Sequence, residues 1–168
     1  MDDGSMTLII ALVFLVACSA FFSASETAFS SLNQIRLKSR AEDGDASAAR
    51  VLAMAEKYDK LLSTILIGNN IVNIAAASIG TILFTRALGA ERGATMSTIV
   101  LTIVVLIFGE VTPKSLAKEM PETVATAVSP MLNLLMVLFT PLTWLFSQWK
   151  RLLGHFVHLS LIHISEPT

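Results

Sequence analysis

Apolar positions fall into four long blocks. Residues 4–25, 61–85, 93–109 and 123–149 contain no Asp, Glu, Lys or Arg, and charge collects between them. A helix needs about 20 apolar residues to cross a hydrocarbon core of about 30 Å. The first and second blocks reach that length, and the third falls just short. They predict transmembrane helices over about 6–30, 61–86 and 93–113. The fourth block is long enough but carries Pro130 and Pro141, which bend or break helices. Ser129, Asn133, Thr140 and Thr143 interrupt it, and Trp144 and Trp149 suit a lipid–water interface. It reads as a bent interfacial helix over 123–149, with a fourth crossing as the alternative.

Between the first two spans, residues 32–60 predict a helical hairpin. Gly44, flanked by Asp43 and Asp45, is a breaker, and Asp45 can cap the helix that follows. Val51, Leu52, Ala55 and Tyr58 share one face of that helix. The hairpin packs along the membrane or against other helices, or else is a solvated loop hairpin.

Composition narrows the class. Hydrophobic residues make up 54% of the 168, and only 15% are charged, against roughly 25% in soluble domains. Disorder, a coiled coil and an ordinary water-soluble domain are excluded. Net charge is −1, so no nucleic-acid partner is indicated. Cys18 is the one cysteine, which excludes an intrachain disulfide and a four-cysteine zinc site. No basic stretch precedes the first block, so it reads as a retained helix rather than a cleaved signal.

Charge also orients the chain. Arg36, Lys38, Arg40, Arg50, Lys57 and Lys60 lie within 32–60, and Lys114 and Lys118 within 110–122. The 86–92 loop has only Arg86 and Arg92, and the N-terminal tail has neither Lys nor Arg. Positive residues favour the cytoplasmic side. The expected topology is a multi-pass plasma (inner) membrane protein with its N-terminus extracytoplasmic and 32–60 cytoplasmic.

Polar residues inside apolar spans cost free energy unless a partner or an ion satisfies them. Three clusters stand out. In the first, Ser19 and Ser23 share a helix face and precede Ser25, Glu26 and Thr27. Their hydroxyls can face a cation or bond back to the helix backbone. In the second, Asn69, Asn70 and Asn73 follow Gly68, with Asn69 and Asn73 on one face. Their amide oxygens suit a hard cation, or they join helices by hydrogen bonds. In the third, Glu110 follows Gly109 and precedes Pro113 and Lys114. Pro113 frees the Gly109 carbonyl beside a carboxylate, and Lys114 is an alternative partner for Glu110. Hydroxyl, amide, carbonyl and carboxylate oxygens together indicate Mg²⁺, Ca²⁺ or an alkali ion rather than zinc or copper. His155 and His158, three residues apart, could bind a metal, but with His163 they read as interfacial residues, since no carboxylate or thiol accompanies them.

The motifs Ser23-Ala-Ser-Glu-Thr-Ala28, Ile67-Gly-Asn-Asn-Ile-Val-Asn73 and Gly109-Glu-Val-Thr-Pro-Lys114 resemble, in order and spacing, the transmembrane domain of the CorC / cyclin M (CNNM) magnesium transporters. The resemblance covers about 6–150. It implies an all-α membrane protein, a homodimer with three transmembrane helices per subunit and a belt of juxtamembrane helices on the cytoplasmic side. It further implies an inward-facing site for dehydrated Mg²⁺, and efflux coupled to Na⁺ entry. Carried over, Ser19 and Ser23 supply hydroxyls or lie beside the ion. Asn69, Asn70 and Asn73 supply amide oxygens, Gly109 its carbonyl and Glu110 charge. Pro113 and Lys114 shape the helix end. Glu26 lies near the cytoplasmic mouth and serves structure or Na⁺. Family members continue into ATP-binding CBS domains that this sequence lacks, which implies that it is a piece of a longer protein and that ATP is not expected in this piece. Residues 151–168 form a tail, and from about 160 it departs from the family's linker as foreign sequence would.

A second reading is a non-transporting scaffold or Mg²⁺ sensor whose polar clusters glue helices together. An intramembrane enzyme using Ser23 or Ser25 would need a base. The spans hold no His, so no enzymatic activity is expected.

Overall fold

The computed structural model describes the backbone of residues 3–164 and the side chains of residues 3–157. Among these every regular element is a helix: α1 (Asp3–Ser30), α2 (Gln34–Glu42), α3 (Ala46–Glu56), α4 (Tyr58–Leu88), α5 (Ala90–Val104), a π-helical segment (Val105–Val111), α6 (Thr112–Glu119), α7 (Pro121–Leu138) and α8 (Thr140–Ile164). Four stretches are long and apolar enough to cross a membrane: Asp3–Ser30, Tyr58–Leu88, Ala90–Glu119 and Pro121–Leu138. Large apolar side chains face outward on them. Val13 and Phe14 are 65% and 67% exposed on α1, a surface that lipid satisfies and water does not. This is an integral membrane protein.

α1, α4 and the α5–π–α6 rod pack together, and close approach depends on glycine. A β-carbon at Gly68 of α4 would run into the ring of Phe22 on α1, and one at Gly80 into Leu101 of α5. At Gly93 it would meet the Thr85 backbone at 2.5 Å. Small residues let helices pack closely where apolar burial supplies no drive between them. Gly89, with φ of 84°, turns the chain between α4 and α5.

The predicted hairpin forms at the other end of this bundle. Asn33 caps α2 by accepting from the Arg36 N–H at 3.1 Å. Gly44 takes φ of 94°. Asp45 Oδ1 caps α3, accepting from the N–H groups of Ser47 and Ala48 at 3.0 and 3.1 Å. The buried face of α3 is Ala48, Val51, Met54 and Ala55, and Leu52 is half-buried. Tyr58 is not on it. The backbone leaves α3 at Lys57, so Tyr58 opens α4 and is exposed, and the hairpin stops short of residue 60.

The fourth block differs more. One bent helix over 123–149 is replaced by two, which part at Phe139. Pro130 stays inside α7, and Pro141 occupies the first turn of α8, where its missing N–H leaves no helical bond unmade. α7 runs along the hairpin. At its start Glu122 pairs with Arg36 and Arg40 of α2. Toward its end Asn133, Met136 and Val137 line a hollow with Arg50, Met54 and Lys57.

The third span also differs from expectation. It does not break at Pro113 but continues to Glu119. The seven residues before Thr112 wind as π-helix, and the Thr112 N–H reaches back five residues to Ile107. The wider turn absorbs the register change ahead of a residue that has no N–H to give.

Candidate functional site

The first and second polar clusters meet where α1 crosses α4. Ser19 is 1% exposed. Its hydroxyl lies 2.9 Å from Asn73 Oδ1 and 3.3 Å from Asn69 Oδ1. The four-residue step between the asparagines puts both amides on the face that α1 covers. Three oxygens therefore share one proton. That is an excess of acceptor lone pairs at membrane depth, which an approaching cation would relieve.

The third cluster closes on the same point. A β-carbon at Gly109 would sit 2.9 Å from Ser19 Oγ and 3.2 Å from Ser19 Cβ. The π segment thus lays its buried glycine directly on Ser19. Ser23, one turn along α1, is 2% exposed, and its hydroxyl has no hydrogen-bond partner. Ser25 instead donates to the Phe21 carbonyl of its own helix at 2.7 Å.

Glu110 and Asn73 line one groove of about 340 Å³ between α4 and the α5–π rod. Lys114 does not neutralise Glu110: its ammonium pairs with Glu26 of α1 at 3.5 Å. Both partners are substantially exposed, so the pair ties α1 to α6 with a modest energy, about 0–1 kcal/mol. Asn70 is exposed and takes no part in the hydrogen bonds to Ser19. The structure therefore brings together Ser19, Asn69, Asn73 and Gly109, with Ser23 and Glu110 adjoining, and leaves Asn70 apart. His155 is exposed. The side chains of His158 and His163 lie outside the described residues.

Sequence reasoning missed part of the groove. Thr81, Ser97, Thr98 and Thr102 also line it. The available signal was the four-residue spacing of Asn73, Ala77 and Thr81 on α4. It also missed the ion pairs that hold α7 on the hairpin. Arg40 bonds Asp45 at 2.6 Å and Glu122 at 3.0 Å. The Ala48 N–H and the Arg40 guanidinium hold the Asp45 carboxyl below its ordinary range, and Asp45 and Glu122 push Arg40 up.

The geometry defines a helical membrane protein with an acceptor-rich polar site between three packed helices. The model of the cyclin M (CNNM) transmembrane N-terminal domain matches residues 10–159, and the chain belongs to that family. A relative in Escherichia coli (strain K12), "UPF0053 inner membrane protein YfjD", is 47% identical over 80% of this chain and 31% of its own length. A "UPF0053 protein" of Haemophilus influenzae is 41% identical over 92% of this chain and 37% of its own. A "Polyamine export protein" of Escherichia coli (strain K12) is 29% identical over 95% and 38%. The chain spans well under half the length of these relatives.

Proposed function

We propose that this chain is the membrane domain of a cation transporter that moves Mg²⁺ across the inner membrane, as Na⁺-coupled efflux. The observation that carries the reading is the convergence of Ser19 Oγ, Asn69 Oδ1 and Asn73 Oδ1 around a single proton. Neutral oxygens strip a hard cation of water without trapping it, and Glu110, free of Lys114, supplies the nearby charge. Membership of the cyclin M family supports a membrane-transport role. The protein acts as a homodimer and has no enzymatic activity.

Three crossings per subunit fit this reading. Both ends of α7 lie against the basic hairpin, which supports an interfacial place for α7 over a fourth crossing. The hairpin side is then cytoplasmic and the N-terminus extracytoplasmic.

A second substrate class has an observation in its favour. The groove beside Glu110 is walled by Ala77, Leu101, Val105 and Leu106, surfaces suited to the methylenes of a linear polyamine, the cargo named for one group of relatives.

The test is flux in proteoliposomes under an imposed Na⁺ gradient, with Mg²⁺ and spermidine in separate arms. Asn73→Ala and Glu110→Ala should each abolish Mg²⁺ movement while helicity and dimer elution persist. Wild-type Mg²⁺ flux in both variants would sink the assignment. Spermidine flux without Mg²⁺ flux would favour the polyamine reading. No flux of either from folded protein would favour a scaffold or sensor.

A further inference from the structure

A polar seam continues past the site described above, and the oxygen cluster alone does not account for it. On α4, Asn73, Ala77 and Thr81 follow at four-residue steps and line one face. On the facing rod, Ser97 and Thr102 lie toward one end of the groove and Glu110 at the other. Asn73 and Thr81 are about 12 Å apart at 1.5 Å per residue. The seam therefore leads from the oxygen cluster toward the Gly89 turn, away from the hairpin.

Ser97 is 1% exposed, and its hydroxyl has no hydrogen-bond partner. It lines the groove where α5 meets α4, with its Oγ 3.2 Å from where a β-carbon at Gly80 would stand. Neighbouring hydroxyls behave differently. Thr81 donates to the Ala77 carbonyl at 2.8 Å and Thr98 to the Ala94 carbonyl at 3.0 Å. Once their protons are committed, those oxygens can only accept. A buried hydroxyl with no partner is uncommon and calls for an explanation. Here it lies in a groove with acceptor oxygens and no carboxylate at its end of the seam.

We propose that this groove is the path between the Ser19–Asn73 site and the membrane face opposite the hairpin, and that Ser97 with Thr81 forms a second station on it for a hard cation retaining part of its water shell. Hydroxyls alone hold such an ion loosely. A path needs that property, since an ion must enter and also leave. The station rests on the transport reading; the wetted groove does not.

Two measurements test it. In a Cys18→Ala background, Thr81→Cys and Thr102→Cys are exposed to a membrane-impermeant cationic thiol reagent from the face opposite the hairpin. The outward-facing Ile99→Cys and Ile103→Cys serve as controls. The groove thiols should react roughly tenfold faster, because only a wetted thiol ionises, and Mg²⁺ should slow them. Equal rates at all four positions would overturn the path, whether or not the protein transports. In proteoliposomes, Ser97→Ala and Thr81→Val should each lower flux about fivefold, the factor expected of one lost hydrogen bond, while the tighter Mg²⁺ binding at the Ser19–Asn73 site is retained in calorimetry. Mg²⁺ and Na⁺ movement are read separately to show which ion uses the station. Wild-type flux of both ions in both variants would overturn the station. Asn73→Ala, by contrast, should lose binding and flux together. A wild type that moves neither ion removes the transport reading and the station with it.

Discussion

The Ser19 hydroxyl on α1 donates to Asn73 Oδ1 on α4 at 2.9 Å, across 54 residues of sequence. Asn69 Oδ1 faces the same hydroxyl at 3.3 Å. The contact joins two spans, yet it leaves one amide oxygen short of a donor. It is a weak structural bond whose second acceptor is left for another donor or, in the reading proposed above, a cation.

Ser19→Ala should therefore cost little without Mg²⁺, about 0.6 kcal/mol, as hydrogen bonds between membrane helices do. Its effect should appear when Mg²⁺ is added. A ligand that binds the folded state raises its stability by mass action, so Mg²⁺ should raise the thermal midpoint of the wild type more than that of the variant. Equal shifts in detergent-solubilised protein would remove Ser19 from the site.

Gly109→Ala places a β-carbon 2.9 Å from Ser19 Oγ. Overpacking of this kind costs about 1–3 kcal/mol. Pairing it with Ser19→Gly clears the contact and should recover most of the stability in thermal unfolding. Flux should not recover, because the hydroxyl is gone. Recovery of both would mean that the Ser19 hydroxyl has no part in transport.

Lys114 pairs with Glu26, not Glu110. Glu26→Gln should consequently leave Mg²⁺ binding near wild type and lower stability by at most about 1 kcal/mol, an effect that salt screens. Glu110→Gln should weaken binding strongly. If calorimetry found the two variants equivalent, Glu110 would have no special part in holding the ion.

The Asp45 carboxyl is held below its ordinary pKa by the Ala48 N–H and by Arg40. A depressed folded-state pKa means that the stabilisation is complete above the unfolded value, about 3.9, and is lost as pH falls through the folded value. Arg40 is pushed upward and stays charged throughout this window. The difference in thermal midpoint between wild type and Asp45→Asn should be constant from about pH 5 to 8 and shrink below about pH 4. A difference that widens in acid would overturn the assignment.

Much of the helical layout was legible in advance. Charge-free blocks marked α1, α4 and the third span, because burying an unpaired charge in lipid is too costly for the pattern to be accidental. Gly44 and Asp45 announced the hairpin turn, since a positive φ and a cap depend on only a few adjacent residues. The fourth block was harder. Two prolines signalled a bend, but the chain parts at Phe139, between them, and Pro130 stays inside α7. The three polar clusters were visible as clusters. Their separation into Ser19, Asn69, Asn73 and Gly109 together, with Asn70 left outside, was not.

By itself the sequence determined an all-helical membrane protein, the turn between its first two spans and the oxygen chemistry it carries, because each follows from local composition and short-range geometry. Only the tertiary structure decided that Lys114 reaches Glu26, that Gly109 rests on Ser19 and that Ser97 lies in a groove beyond them without a partner. Those outcomes depend on the rotation and axial offset of each helix against its neighbours. A π-helical segment shifts both by a fraction of a turn, and no periodicity within one helix specifies where its faces will meet another.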